Sequence, residues 1–343
     1  MQEALYAHPE TLRCCTTRTA TSSKKRKKGV EPPPGCIACA YKLMKPDVCR
    51  DVAFTSKWPN VRPEMCPRSN PNTTTTANNN NNNPLERIFG PSILSVGDGD
   101  LTFSYALRRM FDTSTSKIHA TSYETNETLL KVYGSNINEV VDEIGRENVS
   151  FSVDATNLRP TLTKAAPATH DETFSSIVWN FPCTAEEAGQ DGQNTEMERN
   201  KDLLREFTKC AASMLRGGGN VVITHKTKPP YNQWNIVHVI EGVTLDSGMN
   251  MVCIGRVCFD KYLFPGYTNR KALDKKSFTC HDAEMYVFKL LPPADTECTA
   301  MADAGFVKLS SKVIRKVRNM FVNTSTSTNA NTSSKNVNNK RSR

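Results

Sequence analysis

Ser92-Ile-Leu-Ser-Val-Gly-Asp-Gly-Asp-Leu-Thr-Phe-Ser104 is the stretch whose reading decides the fold. An apolar run, Ile93 to Val96, meets a turn carrying Gly97 and Gly99, and a helical pattern starts at Leu101 and continues through Tyr105, Leu107 and Phe111. Strand, glycine turn and helix in this order open a nucleotide-binding α/β sheet. Glycines let the backbone turn sharply and let a ligand approach closely, and the first helical turn offers free N–H groups. The third glycine that a dinucleotide fingerprint requires near Thr102 is missing. Two carboxylates, Asp98 and Asp100, stand in the turn instead and repel a pyrophosphate. A cationic or neutral ligand suits it better.

Outward from this stretch, α/β alternation runs from Pro84 to about Pro292. Lys117–Glu124 reads as a second strand ending in an acid, and Thr128–Ile144 as a helix with apolar residues three and four apart. Val149–Asp154 is a third strand, again ending in an acid, and Phe174–Asn180 a fourth. A long amphipathic helix, Met197–Leu215, is expected to stop at a left-handed cap in Gly217-Gly-Gly219. Asn220–His225 is a fifth strand, followed by a helix over Trp234–Leu245 and strands Met251–Phe259 and Glu284–Leu290. Strands separated by helices predict a Rossmann-like, doubly wound, mostly parallel sheet. The long loop Asp260–His281 is expected over the edge of that sheet or its ligand face.

This organisation divides the chain into a basic arm over 1–84, an α/β domain over 85–292 and a basic polar tail over 293–343 that starts with a weak helix, Val307–Phe321. The arm has 13 Lys and Arg against 6 Asp and Glu, the domain 22 against 26, and the tail 9 against 3. Basic flanks around a mildly acidic centre are an electrostatic pattern for loose attachment to nucleic acid, and equally that of solvated tails. Polar tracts and Pro32–Pro34 make the arm read as largely disordered. Lys24-Lys-Arg-Lys-Lys28 has the composition of a nuclear-import signal. Cys36, Cys39, Cys49 and Cys66 could ligate zinc, but their irregular spacing favours unpaired thiols. The twelve scattered cysteines read as reduced thiols of a cytosolic or nuclear protein. No apolar run approaches the ~18 residues that span a bilayer, so no membrane partner is expected.

Ligands of such sheets bind beyond the carboxyl ends of the strands, near the reversal of strand order. Standing there are Gly97, Asp98, Gly99 and Asp100; Glu124; Asp154; Asn180-Phe-Pro182; and His225-Lys226. An acid after the second strand can accept from ribose hydroxyls, and one after the third from an adenine amino group. With acids in the turn, S-adenosylmethionine, which carries a sulfonium and an amino group, is the expected cofactor. Asn180-Phe-Pro182 is similar to the Asn-Pro-Pro-aromatic turn with which amino- and ring-nitrogen methyltransferases hold a planar nitrogen. Tyr231, Trp234, Tyr267 and Arg270 are expected to contact substrate, the aromatics by stacking on a base and Arg270 at phosphate. No metal enters this site.

Several blocks in order, Val96–Ser104, Ala120–Tyr123, Val153–Leu158, Trp179–Pro182, Asn200, Ile223–Lys226 with Pro230, Tyr231 and Trp234, and Phe264–Tyr267, resemble the eukaryotic 25S ribosomal RNA (uridine-N3)-methyltransferase family. The resemblance spans roughly residues 90–290. It implies a class I methyltransferase fold, S-adenosylmethionine as cofactor, a uridine of large-subunit ribosomal RNA or its precursor as substrate, and a nucleolar address. The chain departs from the family pattern at Cys183, where a His is usual, and at His225, where a Leu is usual.

In this reading Asn180 and Pro182 orient the uracil, while Lys226 or Arg270 stabilises charge developing on its carbonyl oxygens. Asp100 and His225 are candidates for the base that takes the imide proton. Two rivals remain on the sequence alone: an NAD(P)-dependent oxidoreductase, disfavoured by the missing glycine and the two acids, and a catalytically inactive RNA-binding ribosome-assembly factor.

Overall fold

The computed structural model describes residues 4–9, 83–111, 114–184, 194–278, 280, 282–293, 301–311 and 314. Among these, nine strands form one sheet: β1 Leu5–Ala7, β2 Ser92–Val96, β3 Lys117–Thr121, β4 Val149–Ser150, β5 Phe174–Asn180, β6 Leu215–Lys226, β7 Asn250–Cys258, β8 Ala283–Leu291 and β9 Val307–Lys308. Their order across the sheet is β4-β3-β2-β5-β6-β8-β7-β1-β9. Neighbours from β4 to β6 run parallel; β8 runs antiparallel to both β6 and β7. The chain thus builds outward through β2, β3 and β4, then returns to the other side of β2 with β5. This reversal opens the crevice in which sheets of this type bind ligands.

Seven α-helices fall among the described residues: α1 Pro84–Phe89, α2 Thr102–Met110, α3 Asn126–Tyr133, α4 Asn136–Ile144, α5 Leu158–Ala165, α6 Asn194–Met214 and α7 Ile236–Glu241. On α6, Leu204, Phe207, Ala211 and Met214 are buried at three- and four-residue spacing, and ion pairs such as Lys201–Glu198 and Lys209–Glu206 line its outer face. These helices cover the sheet in two large apolar clusters, one around Leu94, Phe207, Trp234 and Phe288, the other around Ile93, Phe103, Phe264 and Val287. A third, smaller cluster packs α3 and α4 against Leu101 and Ala120.

Some expectations change. The pattern over Thr128–Ile144 folds as two helices, because the chain breaks at Gly134, which caps α3 with φ +87°. The third strand is only Val149–Ser150, and Ser152 beyond it adopts φ +58°. Gly217–Gly219 do not cap α6: the helix passes directly into β6 at Leu215, and the glycines lie within that strand. Trp234–Leu245 divides into a 3-10 turn, Tyr231–Trp234, and the short α7.

The sheet also extends past residues 85–292 at both ends. Leu5–Ala7, within the arm, is fully buried, pairs in parallel with β7, and pairs antiparallel with Val307–Lys308 of the tail. Val307 therefore opens a strand and not a helix. A bulge in β7 between Cys253 and Gly255 makes room for this annex, for a Cβ on Gly255 would lie 2.6 Å from Met301 and 3.2 Å from Tyr6. Met301 and Phe306 are buried with them. The basic block Lys24–Lys28 and the cysteines at 36, 39, 49 and 66 lie outside the described residues.

Candidate active site

Val96 of β2 pairs with Trp179 of β5, so the residues that follow, Gly97 and Asn180, leave the sheet side by side at the reversal of strand order. Gly97 has φ +60°, and a Cβ there would come within 2.7 Å of the Trp179 indole nitrogen, so the turn tolerates only glycine. The backbone N–H of Asp98 donates to Thr121 at the end of β3, Ser152 donates to the Glu124 carbonyl, and Val153 donates to that of Ser122. These bonds tie the ends of β2, β3 and β4 into one rim that carries Asp98, Glu124 and Asp154.

At the start of α2 the structure departs from expectation. The helix has no side-chain cap at Leu101, whose φ is +60°, and its N–H groups are not open to a ligand. Asp98 accepts from the N–H and hydroxyl of Ser104, both at 2.7 Å. Asp100 accepts from the N–H and hydroxyl of Thr102 at 3.2 and 2.6 Å. Two of the chain's own carboxylates thus occupy the place where a pyrophosphate would sit. Burial, with the charge of Asp100 adding to it, pushes the Asp98 carboxyl up from 3.8 to about 7 against the opposing hydrogen bonds of Ser104.

Asp100 is 5% exposed and committed elsewhere. Its second oxygen accepts from the Thr268 hydroxyl at 2.6 Å and lies 3.6 Å from Nε of Arg270, whose guanidinium also stands over the Tyr133 ring. Asp100 therefore clamps the loop after β7 onto the glycine turn, and Arg270 completes the clamp. The loop lies over the ligand face. With its lone pairs engaged in this way, Asp100 is poorly placed to take the imide proton. His225 is also unsuited: burial pushes its imidazole down to about 3, its ring lies tilted against Trp234 with centroids 4.4 Å apart, and Nε2 lies 3.3 Å from the Tyr231 carbonyl, to which it donates.

Of the other acids, Asp154 accepts from the N–H and hydroxyl of Thr156, both at 2.8 Å, through one oxygen, which leaves the other for a ligand. Glu124 is half-buried at the end of β3, with its carboxylate accepting no bond among the described residues. Acids on the rim, a turn without Cβ atoms at Gly97 and Gly99, and first-turn N–H groups already taken fit S-adenosylmethionine better than a dinucleotide.

Asn180 is held at the sheet edge opposite Thr224, and Phe181 donates its N–H to the Thr224 carbonyl. Both polar atoms of the Asn180 amide are shielded from solvent and without a partner. Phe181 next to it has φ +53°, a left-handed conformation costing a non-glycine residue about 1–3 kcal/mol, and its ring packs edge-on against Phe259 and Phe278. Pro182 is buried and Cys183 exposed. Beyond them, buried Asn200 accepts from the N–H of Thr184 at 2.7 Å and donates to the Glu196 carbonyl, fastening the turn to α6.

Lys226 ends β6 with its ammonium over the rings of Tyr231 at 4.5 Å and Phe278 at 4.9 Å. Desolvated aromatic faces hold a cation in place without neutralising it. Two expected base-stacking residues are corrected: Trp234 is 3% exposed inside the α6–α7 core, and Tyr267 is 8% exposed against Phe103 and Phe259. Neither ring can receive a base. Their residue type and polar neighbours, which marked them as stacking candidates, carry no information about the core they enter. Thr268 and Tyr133 escaped the sequence reading, and Ser104 and Asn200 entered it only through the family resemblance, without a role. Ser104 had a signal, since it lies six residues past Asp98 on the first helical turn.

A 3-2-1-4-5-7-6 progression of the central strands, counted from β2, with the antiparallel strand inserted next to last and an acid-lined glycine turn at the reversal, defines a class I methyltransferase-type domain. Residues 94–271 match the profile of the BMT5-like family, described as rRNA (uridine-N3-)-methyltransferase BTM5-like. The match covers just over half of the chain, which belongs to this family. Heavy metal-associated isoprenylated plant protein 41 of Arabidopsis thaliana is 31% identical over 182 residues, 52% of this chain and 32% of that protein. The match thus spans about a third of that relative's length. An uncharacterized protein of Arabidopsis thaliana is 28% identical over 193 residues, 52% of this chain and 81% of that protein. Among solved structures, the N-methyltransferase NodS from Bradyrhizobium japonicum WM9 shares 12% identity, covering 61% of this chain and 90% of that chain with a TM-score of 0.33. Among the described residues no cluster of His, Cys, Asp or Glu is arranged to hold a metal, and no helix is long and apolar enough to cross a membrane.

Proposed function

We propose that the chain methylates N3 of a uridine in large-subunit ribosomal RNA, with S-adenosylmethionine as methyl donor. The observation that carries this reading is the Asn180 amide, buried at the reversal of strand order with neither its donor nor its acceptor satisfied. Such a group costs about 1–3 kcal/mol unless a ligand pairs with it. An amide matches the imide edge of uracil: its NH2 donates to a ring carbonyl, and its oxygen accepts from N3–H until that proton leaves. Because both atoms are shielded, the strained Phe181 turn has to shift for the base to reach them.

Glu124, Asp154 and Asp98 would hold the cofactor through its hydroxyls and amino groups, and Gly97 and Gly99 would let it approach the backbone. Bound there, it supplies an electrophilic methyl on a sulfonium. On this chain's side of the reaction, the N3–H proton would leave to solvent, Asn180 would hold the ring in line with that methyl, and Lys226 would stabilise the negative charge shared by the carbonyls flanking N3. Positioning and electrostatics supply most of the acceleration. The first-turn N–H groups taken by Asp98 and Asp100 speak against the oxidoreductase rival. The basic block Lys24–Lys28 supports a nuclear, nucleolar address, which imaging of a tagged chain with and without that block tests.

Asn180→Ala is the direct test. Misplacing a reacting atom by about 1 Å costs on the order of a hundredfold, so single-turnover methylation of large-subunit RNA should fall by that factor with cofactor affinity nearly unchanged. Mass spectrometry of the product nucleoside identifies the atom. A normal rate, or a methyl on carbon or ribose, overturns the assignment.

A further inference from the structure

The loop Thr268–Phe278, clamped over the glycine turn, presents a surface that the methyl-transfer site does not use. It is a small hairpin: Arg270 bridges Ser277 antiparallel, Lys271 donates its N–H to Lys276, and Phe278 donates to Asn269. The Tyr133 hydroxyl donates to the Lys271 carbonyl at 3.3 Å, and Thr268 reaches Asp100, so both the base and the middle of the hairpin are fixed at the ligand end of the sheet. Its tip carries Lys271, Lys275 and Lys276, all exposed and none in an ion pair among the described residues, against the single acid Asp274, which accepts from the Lys276 N–H. This concentration of positive charge stands on a domain with more acids than bases.

Between the lysines, Leu273 is 43% exposed and held at φ +54°. An exposed leucine in the left-handed region gains nothing from burial and bears backbone strain, a combination that accumulates at binding elements. Of the three exposed large apolar side chains among the described residues, two, Leu273 and Tyr123, belong to the ligand end; Tyr123 stands two residues past the end of β3.

We propose that this hairpin is the RNA-docking element of the domain: Lys271, Lys275 and Lys276 grip the phosphate backbone flanking the target uridine, and Leu273 packs against an unstacked base or sugar beside it. The inference rests on the RNA methyltransferase reading. The profile match ends at Lys271, so Lys275 and Lys276 are a feature of this chain beyond it. Backbone phosphates suit three flexible, unpaired ammonium groups at the rim of a site that takes a single base, and lysine serves phosphate as a point charge without demanding fixed geometry.

The test uses the full chain and a triple variant, Lys271→Gln, Lys275→Gln and Lys276→Gln. Binding of a large-subunit RNA fragment is followed by fluorescence anisotropy from 50 to 300 mM KCl, and S-adenosylmethionine binding by calorimetry. Three lost phosphate contacts on single-stranded RNA should lower the slope of log affinity against log salt by about 2 and weaken binding about ten- to fiftyfold near 0.15 M salt. Cofactor affinity and the rate at saturating RNA should not change, and a triple Lys→Arg variant should restore the slope. An unaltered slope and KM for RNA in a variant that binds the cofactor normally overturns the proposal. So does loss of binding to phosphatidylserine vesicles with RNA binding intact, which would make the surface a membrane contact. If the parent chain binds cofactor but shows no affinity for RNA, the underlying RNA reading fails too, and that failure is visible in the parent before any variant is made.

Discussion

Asp98 should make cofactor binding depend on pH. Its carboxyl is pushed from 3.8 to about 7, first by burial and then by Asp100, so near neutrality it is about half protonated before a ligand arrives. A cationic ligand pairs with the ionised form only. The ionised fraction rises from about a tenth at pH 6 to about nine tenths at pH 8, so S-adenosylmethionine affinity should rise about tenfold over this range, with release of about half a proton per binding event at pH 7. Calorimetry in buffers of different ionisation enthalpy reads both quantities. The stability of the unliganded protein moves the opposite way. A carboxyl whose folded value lies above its unfolded one contributes stability that is complete below pH 4 and is lost as pH rises through about 7. The shift caps this loss at about 4 kcal/mol. Asp98→Asn keeps an oxygen that accepts from Ser104 but carries no charge. It should flatten the loss of stability above pH 5 and weaken cofactor binding at pH 8 by tenfold or more. Equal affinity at pH 6 and 8 in the parent, or an undiminished affinity in Asp98→Asn, refutes the role given to this residue.

Gly97→Ala forces a Cβ to within 2.7 Å of Trp179 in a left-handed backbone, and should cost about 2–5 kcal/mol in urea unfolding; a loss under 1 kcal/mol would mean that the turn is looser than described. Asp154→Ala removes both the cap on Thr156 and a ligand acceptor, so cofactor binding should weaken by about 1–3 kcal/mol, beyond a stability loss of about 1 kcal/mol measured separately by thermal unfolding. Leu5→Ala, at a fully buried position of the first strand, should destabilise the domain by about 2–5 kcal/mol although it lies 79 positions before the start of α1 at Pro84, whereas removing charge from Lys24–Lys28 should leave unfolding unaltered; a neutral Leu5→Ala would detach β1 from the fold.

The α/β alternation, the parallel centre of the sheet, the glycine turn and the acids at the strand ends were legible in the chain, because each rests on short-range physics. Periodicity of two or three to four residues, a glycine where no Cβ fits, and an acid where a strand yields to a loop all lie within a few positions of one another. The placement of Asn180 beside Gly97 also followed, once strand order was taken from the rule for reversal points. The tertiary structure decided what depends on residues far apart. Trp234 and Tyr267 were sorted into the core by packing against α6 and α2, and no local pattern separates a buried aromatic from a base-stacking one. Asp100 acquired its role as a clamp from Thr268, 168 residues away, and the short segments Leu5–Ala7 and Val307–Lys308 became strands because β7 offers them an edge on which Gly255 leaves room for Tyr6 and Met301. Strands this short have no periodicity to detect, and Leu5–Ala7 is held in the sheet by partners that lie more than 240 positions away in the sequence.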